Sequence, residues 1–330
     1  MNQDRRTALK LGLAASAIQA LAWPAAHAQE LPETARIIVG YPPGGGPDLT
    51  ARRLSEQLTG KLAKAVIVDN RPGAAGRIAV DIAKASPPDG LTLLLSPAGV
   101  LTINPHTYKT SNYDPFKDFA AISLVALIDF GFAVGPAVPA SVKTIADFAT
   151  WARANMGRVT YGSPAAGAPP HFVGDVLSRQ LDLGMTHVPY RGGAPALNDL
   201  IGGQISALVL TLGDLVQPAR AGRLRLLAST GMARSPFAPE VPTFAEQGIK
   251  NLDLRDWFGL FIVGKPTAAV MARVAPMVRD ALASPAYAQG LAALSIEPAS
   301  SKAEELEKLV RADHQRWAGI VKASGFVADV

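Results

Sequence analysis

The fold is decided by a strand, a glycine-rich loop and a helix start that follow one another in residues 37–48, IIVGYPPGGGPD. Three β-branched residues at 37–39 predict a buried strand. Pro47 suits the first turn of a helix because its φ is already helical. The glycines at 44–46 permit positive φ and close approach to the backbone. A helix N-terminus behind such a loop presents free amides, so this unit predicts an anion cradle in an α/β protein.

This loop differs from the known nucleotide-binding loops. It does not read G-x-G-x-x-G, and no Lys-Ser or Lys-Thr pair follows the glycines as in a P-loop. A second interpretation stays open, in which the loop is only a tight turn and Asp48 stabilises the helix dipole. The loop therefore favours a small anion or a purely structural turn over a nucleotide.

Short β-branched or leucine-rich runs alternate with helical patterns along the rest of the chain, which predicts mainly parallel sheets flanked by helices. The predicted strands cover residues 37–39, 66–68, 91–95, 122–126, 132–134, 159–161, 207–210, 224–228 and 259–263. The predicted helices cover roughly residues 48–60, 76–85, 144–154, 171–181, 194–202, 267–283 and 302–322.

The length of 330 residues suggests about two domains, at roughly 150 residues per domain. One α/β unit is followed by a second, and the chain then returns to a strand and helices, which predicts two lobes joined by two crossovers. We expect residues 29–127 to begin the first lobe, 128–250 to form the second lobe, and 251–330 to return to the first. The hinge candidates are residues 122–132 and 251–258.

The composition excludes several classes of function. With 48% apolar residues the chain is too apolar to be disordered, and without cysteine it has no disulfide, thiolate metal site or thiol chemistry. Five histidines occur without a metal-binding spacing, so we expect no metal and no cofactor. The net charge of +5 comes without a basic run, which argues against nucleic acid as a partner.

The first 28 residues have the three parts of an export signal. Residues 4–10, DRRTALK, carry a twin-arginine pattern, residues 11–22 form an apolar run too short to span a bilayer, and AHA at 26–28 is a cleavage site. We expect residues 1–28 to be removed and the mature protein to be periplasmic. Twin-arginine export is favoured, and the general secretory route remains the alternative.

A second glycine loop, GSPAAGAPPH at residues 162–171, also follows a predicted strand and precedes a predicted helix. Two such loops at strand ends, one in each lobe, would face each other across a cleft. Ser163 does not meet the G-x-S-x-G pattern of hydrolases, and no base is evident from the sequence. His171 is expected either to contact a ligand or to hold the loop, and Trp257 either to form a ligand platform or to pack in the core.

Six segments in one order resemble the Bug family, the periplasmic solute-binding receptors of the tripartite tricarboxylate transporter system. They are YPPGGGPDLTAR at 41–52, DNRPGAAG at 69–76, PDGLTLL at 88–94, YDPFKDF at 113–119, HVPYRG at 187–192 and VPTFAE at 241–246. The resemblance extends from about residue 35 to the C-terminus. It implies a two-lobed, type II periplasmic-binding-protein fold that closes on a small carboxylate, which the two glycine loops grip partly through ordered water.

The resemblance, together with the loops above, assigns a set of ligand-binding candidates. They are Tyr41, Pro43, Gly44, Gly45, Asp48, Thr102, Asn104, Ser163, Ala166, Gly167, Ala168, His171 and Tyr190. Two departures from the family pattern make the site less polar, namely Ala165 at a glycine position and Ala168 at a hydroxyl position. The segment VLTINP at 100–105 is also mostly apolar. An aromatic or long-chain carboxylate is therefore as plausible as a di- or tricarboxylate.

The sequence thus predicts a monomeric receptor without catalysis, which hands a small carboxylate to membrane transporter subunits or to a sensor kinase ectodomain. Two alternatives remain at this point. One is a periplasmic hydrolase that uses Ser163, and the other is a receptor that serves signalling only.

Overall fold

The computed structural model describes residues 30–328. The export signal predicted for residues 1–28 lies outside the described residues and stays a prediction. Within residues 30–328, no helix combines the length and the hydropathy that crossing a bilayer requires.

Eleven strands form two sheets in the described part of the chain. They are β1 (Thr34–Val39), β2 (Ala65–Asn70), β3 (Thr92–Pro97), β4 (Phe119–Ile128), β5 (Phe130–Val134), β6 (Thr160–Ser163), β7 (Thr186–Pro189), β8 (Ala207–Thr211), β9 (Arg225–Ser229), β10 (Asp256–Val263) and β11 (Glu297–Pro298). The first sheet has the order β11-β4-β10-β3-β1-β2, and the second has the order β7-β6-β8-β5-β9.

Helices cover the faces of both sheets. They are α1 (Gly46–Leu58), α2 (Arg77–Lys84), α3 (Ala98–Thr102), α4 (Asn104–Thr107), α5 (Ile145–Ala154), α6 (Pro169–Gln180), α7 (Gly193–Ile201), α8 (Leu212–Arg220), α9 (Ala268–Leu282), α10 (Pro285–Ala292) and α11 (Ala303–Ser324). The central strand β3 is buried along its whole length, as expected for a strand covered by helices on both faces.

The two-lobed α/β architecture is confirmed, but the sheets are mixed. β1 runs parallel to β2 and β3, and β6 runs parallel to β7 and β8. The strands next to the crossovers, β4, β5 and β10, pair antiparallel with their neighbours. The prediction of mainly parallel sheets is therefore right only for the βαβ portions. The reason is that the strands next to the crossovers do not belong to βαβ units.

The chain passes between the two sheets twice. Asp129 alone separates β4 from β5, and the return runs from the end of β9 to the start of β10. We call the six-stranded sheet with its helices the first lobe and the five-stranded sheet with its helices the second lobe. Both crossovers lie side by side, because Asp129 forms an ion pair with Arg255, which directly precedes β10.

The C-terminal helix α11 packs on the first lobe but also reaches the second. The ring of Trp317 lies 5.6 Å from that of Phe172 in α6, and Arg179 donates to the carbonyl of Ser324 over 3.1 Å. Beyond the helix, the amide of Ala328 donates to the carbonyl of Thr107 in the first lobe. The C-terminal segment therefore contacts both sides of the cleft between the lobes.

Candidate functional site

A cavity of about 600 Å³, here called the large cavity, lies between the lobes. The first lobe contributes the N-terminus of α1 at residues 44–47, and the second lobe contributes Gly193 and Ala194 at the N-terminus of α7. The remaining lining residues are mostly apolar and are Leu49, Ile128, Leu197, Leu210, Thr211, Asp214, Phe258, Leu294 and Ile296. The large cavity is therefore an apolar space with a helix N-terminus on each side.

Asp48 holds the first glycine loop in place. One of its carboxylate oxygens accepts the amide of Gly44 at 2.8 Å and Nε of Arg52 at 3.0 Å, and the other accepts Nδ2 of Asn70 at 3.0 Å. Burial acts to raise the pKa of Asp48, but hydrogen bonds from Arg52, Gly44 and Asn70 outweigh it and bring the pKa below its usual value. Gly44 has a φ of +86°, which favours glycine. Asp48 thus positions the loop, and its carboxylate is fully engaged.

Residues with free amides line the large cavity from both lobes. Within residues 30–328, the amides of Gly45 and Gly46 in the first lobe and of Gly193 and Ala194 in the second donate to no protein acceptor. Unpaired amides at the start of a helix carry partial positive charge and bind anions. The two helix N-termini are therefore suited to hold a carboxylate between the lobes.

A second cavity of about 140 Å³, here called the small cavity, adjoins the second glycine loop. It brings together five of the predicted site residues, which are Tyr41, Asn104, Ala166, Gly167 and Ala168. The other lining residues are Ala75, Gly99, Thr107, Tyr108, Ala165, Pro169, Phe326 and Ala328.

The second glycine loop rests on two stacked histidines. The rings of His171 and His187 lie 4.0 Å apart and nearly parallel. Nδ1 of His171 accepts the amide of Gly167 at 3.1 Å, and Nε2 of His187 lies 2.7 Å from Oγ of Ser163. Oγ of Ser163 also donates to the carbonyl of Ala165 at 3.0 Å. Of the two roles expected for His171, the structure supports holding the loop.

Both histidines are neutral at neutral pH. Burial lowers the pKa of His187 to about 4, with a further contribution from its neighbour His171. Burial lowers the pKa of His171 as well. The amide of Gly167 can donate to His171 only while this ring nitrogen is unprotonated.

No base for Ser163 was evident from the sequence, but the structure places His187 beside it. The pair is nevertheless poorly suited to nucleophilic catalysis. Ser163 is fully buried, and a histidine with a pKa of about 4 is a weak base at neutral pH. Sequence reasoning missed the pair because residues 24 positions apart meet only when β6 and β7 align side by side.

The start of α6 offers fewer donors than the glycine loop before it suggests. Pro169 and Pro170 occupy its first two positions and have no amide hydrogen. The second-lobe helix N-terminus that faces the large cavity is that of α7. The sequence predicts a helix over residues 194–202 but no binding site at its start, so Gly193 and Ala194 were missed. The glycine pair before Pro195 was the available signal.

Besides Asp48, Ser163 and His171, three more predicted ligand contacts lie outside both cavities. Thr102 is fully buried and its hydroxyl donates to the carbonyl of Ala98, because it lies on the inner face of α3. The hydroxyl of Tyr190 donates to Asp199 at 2.8 Å instead of reaching the cleft. Pro43 is exposed at the tip of the first glycine loop. The structure therefore places none of these three residues at either cavity.

Trp257 is not a ligand platform. It is 2% exposed, and its indole nitrogen donates to Asp313 at 2.7 Å within the core of the first lobe. No group of three or more potential metal ligands occurs among residues 30–328.

Two α/β lobes joined by two crossovers, with a ligand-sized cavity lined by helix N-termini between them, define a solute-binding protein of the periplasmic-binding-protein fold. The model of the tripartite tricarboxylate transporter family receptor, TctC, matches residues 50–326, so the chain belongs to this family. This match confirms the resemblance to Bug receptors.

Curated relatives match most of the length of this chain. A UPF0065 protein encoded in the tcbD-tcbE intergenic region of Pseudomonas sp. (strain P51) is 30% identical over 86% of this chain and 84% of its own length. BugT of Bordetella pertussis is 28% identical over 88% of this chain and 89% of its own.

Two solved structures are also similar. The periplasmic binding protein BugD is 27% identical, with a TM-score of 0.77 over 90% of this chain and 99% of that one. Rpa4515 of R. palustris, solved with adipate, is 26% identical, with a TM-score of 0.79 over 92% of this chain and 99% of its own. The family and these neighbours are binding proteins.

Proposed function

We propose that this protein is an extracytoplasmic receptor that captures a small organic carboxylate in the large cavity and delivers it to a tripartite tricarboxylate transporter. The observation that carries the proposal is the pair of helix N-termini, α1 and α7, whose unpaired amides border one cavity from opposite lobes. A carboxylate between them accepts charge-assisted hydrogen bonds from both lobes at once. The adipate bound by Rpa4515 supports this class of ligand.

Capture proceeds by closure of the lobes. In this proposal residues 29–127 and 251–330 move as one body and residues 128–250 as the other, with the two crossovers as the hinge. A ligand that contacts both lobes stabilises the closed state over the open one, because only the closed state supplies all of its partners. The partner in the membrane then recognises the closed form.

Delivery to transporter subunits is the role that the family description supports, and transfer to a sensor kinase ectodomain is the alternative partner. The predicted export signal agrees with a periplasmic site of action. The protein acts as a monomer in this proposal, since one chain supplies both walls of the large cavity.

A panel of carboxylates tested on ligand-stripped protein starting at Gln29 gives the direct test. A ligand at 100 times its dissociation constant should add about 2.7 kcal/mol to the free energy of unfolding. Small-angle scattering with the same ligand should show a smaller radius of gyration. If no carboxylate stabilises the protein and none changes its radius, the proposed function is wrong.

A periplasmic hydrolase is the second candidate, because Oγ of Ser163 lies within hydrogen-bond distance of His187. Turnover of a chromogenic ester that is abolished by Ser163→Ala would support it. Carboxylate binding without ester turnover supports the receptor.

A further inference from the structure

We propose that the large cavity selects zwitterionic carboxylates, in which an apolar spacer separates the carboxylate from an ammonium group, and that Asp214 is the residue that recognises the ammonium group. This inference rests on the proposed function, in which the helix N-termini hold the carboxylate. The inference adds the chemical identity of the end of the ligand that lies opposite the carboxylate.

The charge of the large cavity is the first argument. Among its lining residues in the described chain, Asp214 is the sole charged side chain, and lysine, arginine and histidine are absent from them. Each carboxylate of a ligand needs hydrogen-bond donors or positive charge, because it loses its hydration when the lobes close. Here the helix N-termini supply positive potential, whereas the single side-chain charge is negative.

The side chain of Asp214 is exposed at the wall of the large cavity, where a ligand can reach it. It lies in the first turn of α8, but it does not cap that helix, and its carboxylate forms neither a hydrogen bond nor an ion pair with residues 30–328. The surrounding cavity wall partly desolvates Asp214 and raises its pKa, although the side chain remains exposed to solvent. A cationic ligand group would compensate for this desolvation.

The walls of the large cavity fit the spacer. Leu49, Leu197, Leu210 and Phe258 line it from both lobes and suit methylene or aromatic carbon. Thr211, directly before α8, is the other polar side chain in the lining. Once both helix N-termini hold the first carboxylate, a second carboxylate would meet either this apolar wall or Asp214, and both contacts are unfavourable.

Matched ligands and variants test the inference by calorimetric titration of ligand-stripped protein. The probes are 6-aminohexanoate, adipate and hexanoate, which differ at one end, with 4-aminobutanoate and succinate as the shorter pair. We also include 4-(aminomethyl)benzoate and terephthalate as an aromatic pair. In wild type, at least one amino carboxylate should bind about tenfold or more tightly than its dicarboxylate match.

Asp214→Asn should remove this preference. In this variant 6-aminohexanoate should bind about as weakly as hexanoate, which has no charged group at its other end. Adipate should bind more tightly than it does to wild type. Gln217→Ala is the control, because Gln217 is exposed on the same helix and does not line the large cavity. It should leave all affinities unchanged.

The outcomes distinguish this inference from the proposed function. If a dicarboxylate binds wild type more tightly than every amino carboxylate, or if Asp214→Asn leaves the ratio unchanged, the inference is overturned. Binding of other carboxylates without any amino carboxylate also overturns it, and the proposed function then stands. If no carboxylate of any kind binds, the proposed function fails and the inference fails with it.

Discussion

Asp129 and Arg255 join the two crossovers between the lobes through an ion pair in which Nε of Arg255 lies 2.7 Å from Oδ1 of Asp129. Asp129 is 8% exposed, and Arg255 also pairs with Glu297 of β11. Burial raises the pKa of Asp129 although Arg255 opposes this shift. The two crossovers are thus joined by a buried carboxylate whose pairing depends on one arginine.

Arg255→Met should destabilise the protein strongly, because it leaves the buried carboxylate of Asp129 without a cation. We expect a loss of about 3 kcal/mol in the free energy of unfolding, measured by urea denaturation at neutral pH. Arg279→Met is the control, since Arg279 pairs with Asp280 at the exposed surface, and it should change stability by less than about 0.5 kcal/mol. Equal effects of the two substitutions would contradict this account of the ion pair.

Gly45→Val should weaken ligand binding without unfolding the protein. Gly45 has a φ of −82° rather than the expected positive value, and a Cβ there would meet no atom closer than 3.7 Å. The valine side chain would instead occupy space beside the free amides at the large cavity. We expect a loss of at least about tenfold in affinity by calorimetry, or about 1.4 kcal/mol.

Gly319→Val in α11 controls for the added volume, because its Cβ also meets no atom within 4 Å and it lies outside both cavities. It should bind ligand like wild type. Wild-type affinity in Gly45→Val would show that the amide cradle is not where the ligand binds.

Ser163→Ala should affect stability more than binding. The substitution removes the partner of His187 and the hydrogen bond to Ala165, so we expect a loss of about 1 kcal/mol in unfolding free energy. Because Ser163 is fully buried, carboxylate affinity should change by less than about 1 kcal/mol. Folded protein that has lost all ligand binding would make Ser163 a ligand contact after all.

The free energy of unfolding should decrease as the pH falls, and His187 should be responsible for part of this decrease. Its pKa is about 4 in the folded protein and 6.5 as the ordinary value, so the unfolded chain binds the proton more readily. The contribution of His187 to the free energy of unfolding is therefore fully present above pH 6.5 and is lost as pH falls towards 4. This group alone accounts for about 2 kcal/mol between pH 7.5 and pH 5, measured by urea denaturation. His187→Gln should reduce that pH dependence, and an unchanged slope would exclude His187 as its source.

Much of the fold follows from local sequence patterns. The run at 37–39 forms β1, the glycine loop and Pro47 start α1, and eight further predicted strands overlap observed ones. The edge strands β7 and β11 were not predicted, because they are short and only partly buried. Their pairing depends on neighbours that are distant in the sequence.

The site could be predicted only in part. The positive φ at position 44 favours glycine, and the run of three glycines in the sequence is enough to predict this position. Asp48 was found too, but its role as an anchor depends on Asn70, which lies on a neighbouring strand. The contribution of Gly193 and Ala194 depends on how the second lobe faces the first, which no local pattern encodes.

By itself, the sequence determined the class of fold, the family and the two glycine loops, because β-branched runs, proline and glycine act through the local backbone. Only the tertiary structure decided that His187 meets Ser163, that Asp129 meets Arg255, and that Asp214 is the charge facing the large cavity. These relationships join residues 24 to 126 positions apart or elements of opposite lobes. They exist because packing of the two sheets and their helices brings those side chains into place.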